Sequence, residues 1–148
     1  MPTMSLLVIV MAAFMLLEFS NVLALYFRKD TKMANSVGVF TAWEKSKSDP
    51  EMNNFVKYLV NWVAGTKLIF LSLLTVILLF GTPMMHFWAL WALMLSISTF
   101  YWKLYPLVKK MDNESQLTSK GYSRTLGAMI SVFIFVFLVV AVYTLIQM

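Results

Sequence analysis

Two residues of opposite charge, Glu18 and Lys67, lie near the middle of two long apolar segments of the sequence. Glu18 precedes Arg28 by ten residues. Lys67 follows Lys57 by the same number of residues, so each charge lies about 15 Å along a helix from the basic residues that flank its segment. A charged side chain at that depth in a bilayer is costly and generally has a partner or a transport role. The spacing predicts an ion pair or a shared-proton hydrogen bond between Glu18 and Lys67.

The sequence leaves three interpretations of these charges open. In the first, the buried pair fixes the register of two neighbouring helices and has no further role. In the second, Lys67 extends alone towards the cytoplasmic interface. In the third, the pair moves protons or ions. Asn21 is a candidate for the same pathway, because it follows Glu18 by three residues and shares its helix face.

No second group of residues has a recognisable catalytic or metal-binding pattern. The sequence has no cysteine, which excludes disulfides, thiolate metal ligands and cysteine nucleophiles. Its single histidine, His86, has no carboxylate beside it on the predicted outer side of the membrane. We therefore predict no catalytic site, no cofactor and no metal, and we interpret His86 as a structural residue at the membrane interface.

Four apolar segments must position these side chains. The chain has 148 residues, of which 60% are hydrophobic and 13% are charged. The segments comprise residues 4–27, 58–80, 84–106 and 126–147. Each has the length of about 20 residues that a helix needs to cross the hydrocarbon core. We predict an all-α integral membrane protein, a single domain covering residues 1–148, in which four transmembrane helices form an antiparallel bundle.

The basic residues predict the orientation of this bundle. Of the twelve lysines and arginines, all except Lys67 lie in or beside the first and third connections. The first group comprises Arg28, Lys29, Lys32, Lys45, Lys47 and Lys57, and the second comprises Lys103, Lys109, Lys110, Lys120 and Arg124. The positive-inside rule then places both connections in the cytoplasm and both termini outside, in a cell membrane or a bacterial inner membrane. The net charge of +5 is accordingly assigned to anionic lipid at the cytoplasmic loops, and not to nucleic acid.

Local signals predict where the helices begin and end. Asp49 is expected to cap the second long helix, with Pro50 at its first position. Gly81 is expected to close that helix in a left-handed conformation, and Thr82 is expected to cap the next helix. Pro106 should kink or end the third helix where it leaves the membrane.

The first connection, residues 28–51, combines charges with aromatic residues. One interpretation is a short amphipathic helix in the headgroup region, with Phe40 and Trp43 on one side at a spacing of three. The alternative is a partly ordered loop. Either way, this connection is predicted to lie at the membrane surface.

Small residues follow one stripe of the third segment and recur in the fourth. Small side chains allow helix backbones to approach closely, which is the main route to association in lipid. The candidates for helix packing are Ala89, Ala92, Ser96 and Thr99 on the third segment, with Gly127 and Ser131 on the fourth.

These features predict a non-enzymatic membrane protein. We expect a small subunit or accessory component that associates through its helix faces with copies of itself or with other membrane subunits. The alternative is a small transporter or channel for protons, ions or small solutes that uses Glu18, Lys67 and Asn21. An enzyme that uses a lipid-borne cofactor is a third hypothesis, with no motif to support it.

Overall fold

The computed structural model describes residues 2–32 and 35–147, with the backbone alone for residues 2–5. The protein is all-helical, with 84% of its residues in helices and no strand among the described residues. The α-helices are α1 (Pro2–Phe27), α2 (Thr41–Ser46), α3 (Pro50–Phe80), α4 (Pro83–Ser98), α5 (Phe100–Asn113) and α6 (Tyr122–Gln147). Four stretches are long and apolar enough to span a membrane: α1, α3, α6, and the joined helices α4 and α5.

The starts of α3 and α4 agree with the sequence prediction. The Asp49 carboxylate accepts hydrogen bonds from the backbone N–H groups of Glu51 at 3.0 Å and Met52 at 3.2 Å. The Thr82 hydroxyl accepts a bond from the backbone N–H of Met85 at 3.4 Å. In both helices a proline occupies the first turn. These side chains satisfy N–H groups that have no partner inside the helix.

The prediction of a left-handed Gly81 is wrong. Gly81 has φ −72° and ψ 149°, which is an extended conformation open to any residue. Its N–H still bonds to the carbonyl of Ile77 at 2.8 Å. A Cβ atom at position 81 would collide with that same carbonyl oxygen and approach the His86 ring, so it is lack of space that requires glycine here.

Pro106 does not end the third long apolar helix, which was one of its two predicted effects. Helix α5 continues through it to Asn113. The junction between α4 and α5 lies earlier, at Thr99. There the Thr99 N–H bonds to the carbonyl of Ser96, three residues earlier, at 3.2 Å. Proline removes a single hydrogen-bond donor. Packing after it offsets this loss, because Val108 is buried against residues of both connections.

Two buried clusters hold the spanning helices together. The first joins α1, α3, α4 and α6 and includes Met11, Phe14, Leu90, Phe137 and Ala141. The second joins α1 to α3 and consists of Val22, Leu25, Val60, Ala64 and Leu71. Much of the remaining apolar surface faces outward, as in a helical protein whose solvent is lipid.

A third cluster joins the first and third connections into one unit, which we call the loop layer. It is built from Val39, Val108, Leu117 and Leu126. Backbone bonds from Thr41 N–H to Gln116 O at 2.9 Å and from Thr118 N–H to Val39 O at 2.8 Å fasten the two connections together. No local sequence pattern indicates this pairing, which depends on contacts between distant residues.

The loop layer also changes the interpretation of Trp43. This residue lies on α2 as a helical first connection requires, but it is only 4% exposed. Its indole N–H donates to the Asp30 carboxylate at 2.6 Å. The first connection thus contains a short helix, as one of the two interpretations had it, and the Trp43 ring packs within the protein.

Candidate functional site

Glu18 on α1 and Lys67 on α3 form an ion pair between the spanning helices. Lys67 Nζ donates to Glu18 Oε2 at a distance of 2.5 Å. Both side chains are about one-quarter exposed, at 22% for Glu18 and 24% for Lys67. A bond between a full positive and a full negative charge is short and strong when little water surrounds it. The structure thus brings together the two charges that the sequence singled out, and it leaves both partly accessible.

Packing on both sides of the pair sets its geometry. On one side, Ala64 is fully buried in the cluster that joins α1 to α3, and its small side chain permits close approach of the helices. On the other side, the Thr75 hydroxyl contacts Met15 Sδ at 3.2 Å. Because both helices are held on either side, Glu18 and Lys67 meet in a fixed register.

The pair lines a groove among α1, α3 and α4 with a volume of about 530 Å³. Apolar walls come from Phe14, Trp62, Val63, Phe70, Leu93 and Ile97. Its polar groups are the ion pair, Thr66 and Ser96. Thr66 already donates to the Trp62 carbonyl at 3.0 Å, whereas the Ser96 hydroxyl has no hydrogen bond within the described residues. The groove therefore offers one ion pair and one free hydroxyl in apolar surroundings.

A second hollow of about 280 Å³ continues this groove between α3 and α4. The two hollows share Phe70, Leu93 and Ser96, so they are adjacent on the helix surface, and we call them together the α3/α4 groove. On α3 it runs from Trp62 to Ile77, a length of about 22 Å at 1.5 Å per residue. This length is about three-quarters of the roughly 30 Å hydrocarbon core.

Part of the small-residue stripe borders this groove. Ala89, Ala92 and Ser96 border it, and Ala92 and Ser96 are exposed. Thr99 is exposed as well but borders neither hollow, and its hydroxyl donates to the Ser96 carbonyl at 2.6 Å. No described helix of this chain covers the exposed part of the stripe.

Gly127 and Ser131 have a different environment, since aromatic residues of α5 contact both of them. Gly127 is buried, and a Cβ there would lie 2.8 Å from the ring of Tyr105. The Tyr101 hydroxyl donates to the Gly127 carbonyl at 2.7 Å and lies 2.6 Å from the Ser131 hydroxyl. This small pair therefore serves packing inside the chain. Sequence reasoning missed this contact between α5 and α6.

Asn21 lies apart from the groove. It is 8% exposed and borders another cavity, of about 540 Å³, together with Ser20, Arg28 and Thr31. Its side-chain oxygen has no hydrogen-bond partner among the described residues. The structure therefore does not bring Asn21 into one polar pathway with Glu18 and Lys67.

His86 is a residue of α4 whose side chain lies against the C-terminal end of α3. It is buried, and its Nε2 lies 2.9 Å from the Ile77 carbonyl, which also accepts the Gly81 N–H. A histidine with Nε2 protonated donates this bond and satisfies a terminal carbonyl of the helix. Within residues 2–32 and 35–147, no group of three or more His, Cys, Asp or Glu side chains could hold a metal ion.

The charged groups of the loop layer are more exposed than the groove pair. Lys47 Nζ lies 2.7 Å from Asp30 and 2.9 Å from Glu44. The pKa of Asp30 lies below its usual value of 3.8. The hydrogen bond from Lys47 is the largest cause, and the hydrogen bond from Trp43 is the second. These contacts hold the first connection in its folded conformation, and the residues that make them lie outside the spanning segments.

Comparison of this chain with models of protein families, with curated protein sequences and with solved structures found no match. We therefore infer function from the geometry of the chain itself. Its most specific elements are the Glu18–Lys67 ion pair and the exposed groove that contains it.

Proposed function

We propose that this protein is a non-enzymatic integral membrane protein that acts as a small subunit or accessory component of a membrane complex or homo-oligomer. In this proposal the four spanning segments form an antiparallel bundle with both termini outside. The loop layer lies in the cytoplasm, against anionic lipid. The distribution of the basic residues supports this orientation.

The observation that carries the proposal is the α3/α4 groove. It could cover about three-quarters of a helix that crosses the membrane beside it, and its small residues, Ala89, Ala92 and Ser96, permit close contact between backbones. The groove also contains an ion pair that would be partly exposed to lipid. Exposure of charge to hydrocarbon is costly, so a helix that covers the groove gains stability from shielding the pair as well as from packing.

Bulky substitutions in the groove test this proposal. Ala92→Leu and Ser96→Leu fill it, so we expect both variants to lose most of the assembled species on size-exclusion chromatography in a mild detergent. Leu95→Phe is the matched control, because Leu95 is exposed but borders neither hollow. Equal assembly in all three variants, or a wild-type chain that is monomeric in native membranes, would contradict the proposal.

A small transporter or channel is the second candidate, and the exposure of the ion pair to an open groove favours it. Proton or ion flux into liposomes that contain only this chain would support that candidate. Glu18→Gln should then abolish the flux, while Glu114→Gln, an exposed acidic residue of the third connection, should not. The absence of flux in the reconstituted wild-type chain would exclude it.

Single cysteines test the proposed orientation, since the chain has no cysteine of its own. Ser48, Thr82 and Ser119 are exposed and suit this purpose, whereas Ser36 is buried. A membrane-impermeant maleimide added to intact cells should label position 82 alone. Labelling at position 48 or 119 would contradict the proposed topology.

A further inference from the structure

A polar cavity of about 650 Å³ lies where α5 meets the start of α6. Three basic side chains, those of Lys109, Lys120 and Arg124, line it together with the Tyr105 ring. Asp112 is the only acidic residue among its lining residues. The cavity is distinct from the α3/α4 groove and shares no residue with it.

The cavity exists because α5 continues for seven residues beyond Pro106 and the chain then folds back onto it. Asp112 fixes this arrangement by accepting bonds from Gly121 N–H at 2.9 Å, Ser123 N–H at 3.0 Å and the Ser123 hydroxyl at 2.6 Å. Gly121 has φ +85°, a left-handed conformation that glycine adopts without strain. Both oxygens of the carboxylate are thus occupied by the first turn of α6.

The three cations are not held by such bonds, although Arg124 lies near enough to Asp112 to attract its carboxylate. Lys109, Lys120 and Arg124 form no ion pair and no side-chain hydrogen bond with any other described residue. The lining carries three positive charges against the single negative charge of Asp112, whose own bonds are already made. The cavity is therefore an electropositive site with unused hydrogen-bond donors, a combination that favours an anion.

The position of the cavity identifies the kind of anion. Arg124 lies two residues before the apolar run that starts at residue 126, so the cavity is level with the end of a spanning segment. Lipid phosphates lie at that level, and basic pockets between spanning helices bind anionic headgroups. The geometry points to a binding site for the phosphate of an anionic phospholipid, held by Lys109, Lys120 and Arg124.

Acyl chains of such a lipid would extend along the bundle from this site. Leu104 and Leu107 of α5 and Met129 of α6 expose apolar side chains on the two helices that form the cavity. A lipid bound here therefore contacts the protein through both its headgroup and its tails. This site does not depend on the proposed association through the α3/α4 groove.

Lipid titration of the purified chain tests the site. The probe is dioctanoyl phosphatidylglycerol, and bound lipid is counted by native mass spectrometry in detergent. We expect one saturable site in the wild-type chain. Lys120→Gln with Arg124→Gln should weaken it about 30-fold, because each basic residue near an anionic surface contributes about 1 kcal/mol. The matched control, Lys45→Gln with Lys57→Gln, removes the same charge from exposed positions outside the cavity and should weaken it less than about threefold.

Competing ligands and a second variant distinguish a specific lipid site from the alternatives. Inorganic phosphate at the same ionic strength should not displace the lipid, and displacement would assign the site to free phosphate instead. Dioctanoyl phosphatidylcholine should not fill the site. Equal weakening in the cavity variant and the control would overturn the inference, since it would indicate diffuse attraction. If the double variant fails to fold, the single variant Lys120→Glu replaces it, because Lys120 is exposed in a connection and its substitution should leave the fold intact. Unchanged lipid binding by Lys120→Glu would also overturn the inference.

Discussion

Two ion pairs of the same chemical type occupy different surroundings in this protein. Glu18 and Lys67 meet at 2.5 Å between spanning helices, with side chains that are 22% and 24% exposed. Asp30 and Lys47 meet at 2.7 Å in the loop layer, with side chains that are 71% and 43% exposed. The first pair joins α1 to α3, whereas the second stabilises a single connection.

From this difference we infer that the surroundings of an ion pair, and not the distance between its charges, decide how much it contributes to the stability of the fold. An exposed pair gains little, since water and salt screen it. A pair in lipid has no water to replace a lost partner, so removal of one charge leaves the other uncompensated. The groove pair should therefore be strongly coupled, and the loop pair should be nearly dispensable.

The largest expected effect follows from breaking the groove pair. Glu18→Gln or Lys67→Met alone should lower the free energy of unfolding by up to about 3 kcal/mol, the approximate cost of an unpaired charge in a membrane. The double variant should recover much of this loss, because two neutral side chains need no pairing. Chemical denaturation in detergent gives the four free energies of the double-mutant cycle.

The coupling between the two changes is the deciding quantity. If the losses from Glu18→Gln and Lys67→Met simply add, the residues do not interact in the folded protein. If stability recovers in the double variant but a transport activity does not, the pair belongs to a transport mechanism and the transporter becomes the better proposal.

An intermediate effect is expected in the loop layer, at Asp112. Asp112→Ala removes three hydrogen bonds that hold the first turn of α6. Loss of these bonds at the start of a helix should lower the melting temperature by several degrees, and less than in the single groove variants. Glu114→Ala, an exposed acidic neighbour, is the control. A larger loss at Asp112 than at Glu18 would reverse the comparison between the two regions.

The smallest effect is expected at the exposed pair. Asp30→Asn should lower the melting temperature at pH 7 by no more than about 2 °C, because the pair is screened by water. The folded-state pKa of Asp30 lies below its usual value of 3.8, so its contribution is present above pH 3.8 and is lost as the pH falls through the lower value. The difference between Asp30→Asn and the wild-type chain should thus disappear in strong acid.

Helix positions and several boundaries could be predicted because their causes are local. Long apolar runs fix the spanning segments, and Asp49 and Thr82 cap helices through bonds to residues two or three positions later. The contact between Glu18 and Lys67 was also accessible, since equal depth in consecutive segments is visible in the sequence. The orientation of the bundle stays a prediction.

The remaining features depend on distant residues. The loop layer forms because Val39 and Leu117, far apart in sequence, pack together, and no local pattern announces that contact. Helix α5 passes Pro106 because Val108 is buried in the same cluster. Gly81 is required by the nearby Ile77 carbonyl and not by its own conformation. Sequence reasoning also grouped Asn21 with Glu18 by helix face, yet the two border different cavities.

Site-specific photocrosslinking from Ser96 tests most directly whether the α3/α4 groove holds a partner helix. Benzophenone maleimide attached to Ser96→Cys in native membranes should give a discrete adduct of higher mass, and Ala92→Leu in the same chain should remove it. The control is Ser72→Cys, which is exposed on α3 but borders neither hollow, and it should give no such adduct. Lipid labelling alone at position 96, or equal adducts at positions 72 and 96, would contradict the account.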